Sequence, residues 1–246
     1  MARKKIVFVI VEGPSDDAAL GVLLNRLYDK NAVYIKITHG DITTNFDISP
    51  DNIVGAIGDI VKSYAVSMHL SQTHFQEVIH LIDMDGAYIP DTAIKNNPDA
   101  EKPIYSMTEI QTAKPDQLAL RNQHKRRKLD RISTLKKVWI SVPYRAYYMS
   151  SNLDHVLYGK LNSTDEEKET DAYAFAKMYK NNIDGFLEFI SDSDFSRMEE
   201  YKDSWDFIKS GLHSLERFTN LGICFADIRE ERKRMAEQKE MEDKEE

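Results

Sequence analysis

The chain has 246 residues, 41% of them hydrophobic, with ten Phe and twelve Tyr, so it can bury a core and is not fibrous or disordered by composition. A formal net charge of −8 excludes a surface uniformly coated in basic residues, and the single cysteine, Cys224, excludes an internal disulfide framework. No apolar stretch approaches the roughly 20 residues that a bilayer span needs, and no Cys/His spacing matches a zinc cluster.

The opening MARKKIVFVIVEG sets basic residues before an apolar run, as a leader peptide does, but the run is short and stops at Glu12 without a small-residue cleavage site. It reads as a first strand instead. Residues 5–11, KIVFVIV, are continuously apolar and β-branched, which suits a strand buried on both faces of a parallel sheet. Gly13 and Pro14 break it, and Ser15, Asp16 and Asp17 start a helix with acids at the positive end of its dipole. That helix, DDAALGVLLNRLYDK, spaces Ala18, Leu20, Val22, Leu23 and Leu27 along an apolar face.

AVYIKITHGD, 32–41, alternates like a second strand, and SPDNIVGAIGDIVKSYAVSM reads as a helix with Ser49 as N-cap and Pro50 at its first position. FQEVIHLIDMDG, 75–86, is a third strand ending in acids and glycine. Residues 87–113 are polar and proline-bearing and read as loop; a long charged helix is predicted over 115–135 and a further strand over 138–149. Beyond SSNLD the pattern predicts helices over 153–161, 164–181, 184–190 and 194–218, and a charged tail from Asp227 that forms a solvated or frayed helix. The β-α-β-α-β order predicts an α/β fold: an open, mostly parallel sheet flanked by helices over 1–150, with a basic helical insertion near 114–136. An α-helical region, 151–246, follows.

In open α/β sheets, ligands bind outside the carboxyl ends of the strands. Glu12 ends the first strand and Asp83 and Asp85 end the third, so three acids converge on one edge. Two residues apart in extended geometry, Asp83 and Asp85 leave the same face. Carboxylates this close repel unless a proton or a divalent cation intervenes, and hard oxygen ligands suit Mg²⁺ or Mn²⁺. Asp16, four residues after Glu12, either joins that cation or caps its helix; a D-x-D at a strand end is also ordinary turn chemistry.

The basic residues are unevenly placed. Between Arg121 and Lys137 eight of them, including Lys125, Arg126, Arg127, Lys128 and Arg131, stand against Asp130 alone, a local charge of +7. On a helix beside the acidic edge they either contact nucleic-acid phosphates or form a solvated face. Trp139, Tyr144, Tyr147 and Tyr148 read as packing residues, although aromatics also stack on unpaired bases. His39 and His155 follow strands, where a structural role is the simpler reading.

IVFVIVEGPSD followed by VIHLIDMDG resembles the Toprim domain shared by topoisomerases, bacterial primases, recombination proteins, the 5S ribosomal RNA maturase and the overcoming-lysogenization-defect nucleases. The family pattern, a glutamate after the first strand and a D-x-D after the third, is matched by Glu12, Asp83 and Asp85 over residues 4–86. The resemblance implies that Glu12 is a general acid/base or metal ligand and that the aspartates hold Mg²⁺ for phosphodiester chemistry. The EGPSD spacing is most similar to the overcoming-lysogenization-defect nucleases, in which an acid at the position of Asp16 helps bind a second metal. MSSNLDHVLYG is a looser counterpart of their later motif, with Ser151 and Asp154 as candidates. One metal or two stays open.

This resemblance implies a Mg²⁺-dependent Toprim endonuclease in the cytoplasm, acting on DNA or RNA as an effector of phage defence or abortive infection. A non-catalytic binding module and a ribosomal RNA maturation nuclease are the alternatives. The chain has no G-x-x-x-x-G-K-[ST], so an ATPase of the kind fused to those relatives would have to be a separately encoded partner. The helical segment 194–218 is a candidate homodimer interface.

Overall fold

The computed structural model describes residues 4–29 and 33–245. Lys30 and Ala32, at the ends of the predicted first helix and second strand, lie outside these residues, as do Met1–Arg3 of the leader-like opening and Glu246 of the tail.

The elements follow in chain order as β1 (Lys5–Val11), α1 (Pro14–Leu27), β2 (Val33–His39), α2 (Ile53–Ser67), β3 (Phe75–Asp83), β4 (Ile94–Asn96), β5 (Ile104–Tyr105), β6 (Ile110–Thr112) and α3 (Pro115–Ile132). They continue as β7 (Lys137–Val138), β8 (Val142–Met149), α4 (Leu153–Tyr158), α5 (Asp165–Tyr179), α6 (Ile183–Asp192), α7 (Tyr201–Ile208), α8 (Leu221–Cys224) and α9 (Ala226–Glu245). The main sheet has the order β2-β1-β3-β8-β7. Its first four strands pair in parallel, and β7 is an antiparallel edge on β8. The fold is therefore α/β with a mostly parallel sheet flanked by helices.

Strand alternation divides the core into two layers. Val7, Val9 and Val11 of β1 join Ile79 and Leu81 of β3 in one cluster, with α1, α4, α5, α6 and α8 laid over that face. Ile6, Phe8 and Ile10 join Val78 and Ile82 in the other, covered by α2, α3 and α7. Both faces of β1 are thus sealed by helices, which is why KIVFVIV carries no polar alternation. The C-terminal helices share the first cluster with α1, since Phe175 and Phe186 pack with Leu20 and Leu24.

Several local expectations change. The first helix starts at Pro14, with Gly13 as N-cap, because Asp16 reaches back to the Gly13 amide. The second starts at Ile53, since Ser49 closes a turn with the Asn52 amide at 3.0 Å. Residues 87–113 hold a three-stranded sheet, β4-β6-β5, whose strands of two or three residues are too short for periodicity to register. It closes over a small core of Ile89, Ala93, Ile94, Ile110, Leu118 and Leu215.

The predicted strand 138–149 is split at Trp139 and Ile140, which take φ of +40° and +72° and turn the chain into a hairpin. Of 194–218 only Tyr201–Ile208 is helical, and Gly211 at φ +55° helps wind the rest through turns. The buried apolar residues of that segment, Phe195, Trp205, Ile208 and Leu215, are spent inside the fold. Tyr144, Tyr147 and Tyr148 are buried packing residues, as expected. The tail is helical and largely exposed, anchored near its start by Arg232 to Asp184 at 2.6 Å.

Candidate functional site

The parallel register sets the carboxyl ends of β1 and β3 side by side. Ile10 pairs with His80, so β3 runs on past β1, and the Asp83 amide donates to Glu12 Oε1 at 3.1 Å. Glu12 follows Ile10 on the face that α3 covers, and its Oε1 lies 3.9 Å from Lys125 Nζ. Asp16 sits in the first turn of α1, where its Oδ2 accepts from the Gly13 amide at 2.9 Å. It is both the capping acid and a member of the cluster.

Beyond Asp83 the strand stops, and extended alternation no longer governs Asp85. Asp85 has φ +49° and Gly86 φ +66°, so the Asp85 carboxylate turns to form an ion pair with Lys125 rather than projecting in line with Asp83. The turn is clamped from the end of β8: Met84 N donates to Met149 O and Asp85 N to Ser151 O, each at 2.8 Å. From α3, Arg121 Nη2 donates to Asp85 O at 2.7 Å and Asn122 Nδ2 to Gly86 O at 3.3 Å. Gly86 is required here, because a Cβ would meet Leu215 at 2.7 Å and Ile110 at 2.9 Å.

The electrostatics follow from this crowding. Burial pushes the Glu12 carboxyl up to about 8 against the pull of Lys125, with Asp85, Asp41 and Asp16 adding to the rise. Burial likewise carries Asp16 to about 6, opposed by the Gly13 amide and reinforced by Asp154. Asp83 is raised well above the usual carboxylate range by burial and then by Glu12 and Asp16. Burial acts on Asp85 too, but Lys125 and Arg121 outweigh it and hold that carboxyl below its ordinary value. Lys125, wholly buried, stays protonated through Asp85 and Glu12 despite its burial.

Asp154 stands at the margin behind Asp16. Burial raises its carboxyl and Lys168, at 3.7 Å, opposes that. Ser151, in a left-handed turn at φ +49°, contributes its carbonyl to the Asp85 amide while its hydroxyl donates to Leu215 O at 3.2 Å. Its place is structural. His39 faces Asp17 at 3.4 Å on the surface, and His155 is buried in α4, so neither enters the cluster.

Of the five basic residues set against phosphates, two are placed otherwise. Lys125 is the internal counter-ion just described, and Lys128 is wholly buried, donating to Ile42 O at 3.1 Å and Asn45 O at 2.6 Å. Neither presents its charge at the surface. Helical phase explains this: Leu118, Asn122, Lys125, Lys128, Leu129 and Ile132 fall on the inward face of α3. Arg126 lies 4.0 Å from Asp91, Arg131 pairs with Asp51 at 2.7 Å, and Arg127 is exposed.

Asp41, just beyond β2, is an acid that sequence reasoning passed over. It is close enough to raise Glu12 and to support Lys125 and Arg121 in their charged forms. Its position at a third strand's carboxyl end was the available signal.

The donor set is wholly carboxylate, the kind that suits a hard divalent cation; Lys125 acts on Glu12 and Asp83, and Lys168 on Asp16. Among the described residues no three acidic, His or Cys side chains stand close enough together to hold one ion as they are placed. Among them also, no helix is long and apolar enough to cross a membrane. Compared with protein-family models, with curated proteins and with solved structures, the chain matches none.

Proposed function

We propose that this chain is a Toprim-like nuclease that hydrolyses nucleic-acid phosphodiester bonds with the help of Mg²⁺ or Mn²⁺. The observation that carries the reading is the gathering of Glu12, Asp16, Asp83 and Asp85 at the carboxyl edge of the sheet, half-buried or buried, with the ion pair of Lys125 to Asp85 set against the four of them. Folding forces acids together at such a cost chiefly where a function needs them.

Glu12, Asp16, Asp83 and Asp85 would hold the cation, with Asp154 and Asp41 tuning the charge around them. Bound there, a divalent ion supplies a lowered pKa for an attacking water and neutralises charge building on the phosphate. Glu12 would either help hold the ion or take the proton of that water; with the ion bound, its carboxyl would fall from the value of about 8 that burial gives it. Lys125 and Arg121 hold the Asp85 turn in place, so that the acid set is fixed before substrate arrives. A cytoplasmic role as an effector of antiviral defence, paired with a separately encoded ATPase, is the setting that the resemblance favours.

A second reading has an observation of its own. Lys125 already neutralises part of the cluster, as a binding module without catalysis would need. Incubation with plasmid, single-stranded DNA and cellular RNA in Mg²⁺ or Mn²⁺ separates the two. The nuclease reading expects metal-dependent cleavage that is lost in Glu12→Gln and Asp83→Asn; intact substrates throughout favour the binding module.

A further inference from the structure

The segment between β2 and α2 is tied along α3 at two points. Lys128 donates to the carbonyls of Ile42 and Asn45, and Arg131 pairs with Asp51. Between the ties, Phe46 lays its ring on His124 of α3, with centroids 4.8 Å apart and planes at 15°. Phe46 is nevertheless 55% exposed.

A single exposed apolar residue is ordinary. Three observations set this one apart. The ring is held flat on a helix by a moored loop, so its outward face is presented with little conformational freedom left to lose. The same segment carries Asp41, whose charge acts on Glu12 and Lys125, and His124 immediately precedes Lys125, so the elements that hold the ring also border the acid cluster. Arg127, one helical turn from His124, is exposed and has no ion-pair partner among the described residues. Its charge reaches His124, whose imidazole is lowered by burial and then by Lys128 and Arg127.

The flanking Asn45 and Asp47 are polar and exposed, and on α3 the exposed Leu120 lies one turn before His124. A flat aromatic face next to an exposed guanidinium fits an occupant with a π-face and a phosphate. We propose that Phe46, backed by His124, is the stacking platform for an unpaired nucleobase, with Arg127 on the adjoining phosphate. This rests on the reading of the site as one that handles nucleic acid and specifies its substrate as an unpaired strand, DNA or RNA.

The test uses fluorescence anisotropy with labelled oligothymidylate, oligouridylate and a DNA duplex, in Ca²⁺, on the full chain and on Phe46→Ala, Phe46→Trp and Arg127→Ala. Phe46→Ala should weaken single-strand binding by about tenfold or more while leaving duplex binding unchanged. Arg127→Ala should weaken it too, with a shallower salt dependence. Phe46→Trp should keep the affinity and show quenching of the new indole when the oligonucleotide binds, and this decides the matter should Phe46→Ala melt early. The relative affinity for the two single strands distinguishes DNA from RNA.

Unchanged affinity in Phe46→Ala, or no single-strand binding by the unaltered protein, overturns the platform. Binding that depends on Phe46 without any cleavage in Mg²⁺ or Mn²⁺ would instead sink the nuclease reading and leave the platform standing.

Discussion

Lys125 is the residue on which the charge balance of the site turns. It is the only ammonium between Glu12 and Asp85 among the described residues, and it is wholly buried. Replacing it with Met leaves those carboxylates without their counter-ion, and urea unfolding should report a loss of about 3–5 kcal/mol, whereas Arg127→Ala should change stability by less than about 0.5 kcal/mol. Glu12 gives the complementary test. A carboxyl whose folded-state value lies above its unfolded one stabilises the fold fully below about pH 4.5, and this contribution is lost as pH rises through about 8. With a chelator present, Glu12→Gln should melt with the unaltered protein in acid and several degrees above it near the top of that window. A constant gap across the range would contradict the assigned burial of charge. The acids were legible in the sequence because each of three sits where a strand runs out. Lys125 was not, since in a run of basic residues only the helical phase of α3 tells an inward lysine from an outward arginine.

At the scale of elements, the turn after β3 does most to shape the site. Asp85 and Gly86 adopt left-handed conformations, and β8, α3 and the Ser214–Leu215 segment all bond to or pack on this turn. Gly86→Ala adds a Cβ both where φ is unfavourable and where Leu215 and Ile110 leave no space. It should cost about 1–3 kcal/mol in chemical denaturation and disturb the acid set with it. β1, β3 and the helices between them could be read from apolar runs and breakers, because their patterns extend over many residues. The β4-β6-β5 sheet could not, since its strands are fixed by contacts with α3 and Leu215 instead of by local pattern. For the same reason Asp85 departs from strand alternation: the tertiary bonds to Met84, Asp85 and Gly86 decide its direction.

Across the molecule, one apolar cluster ties β1 and α1 to α5, α6 and α8, so the acid edge is braced from the C-terminal half of the chain. Phe186, buried against Phe175 and Phe225, should cost about 3–5 kcal/mol when truncated to Ala. Unfolding followed by far-ultraviolet circular dichroism and by tryptophan fluorescence should give coincident transitions, and separate midpoints would show that the two halves melt apart. The layered α/β arrangement was readable from the alternation of strands and helices. The sharing of one core was not, because it depends on which helix faces meet.

If the acids at the sheet edge form a divalent-cation site, the protein should bind Mn²⁺ directly. The most direct measurement is calorimetric titration of Mn²⁺ into chelator-stripped protein, alongside Asp83→Asn and Asp17→Asn. Asp17 faces His39 outside the cluster and serves as the control acid. Saturable binding is predicted for the unaltered protein and Asp17→Asn, weakened by about tenfold or more in Asp83→Asn. No binding, or equal binding by all three, would contradict it.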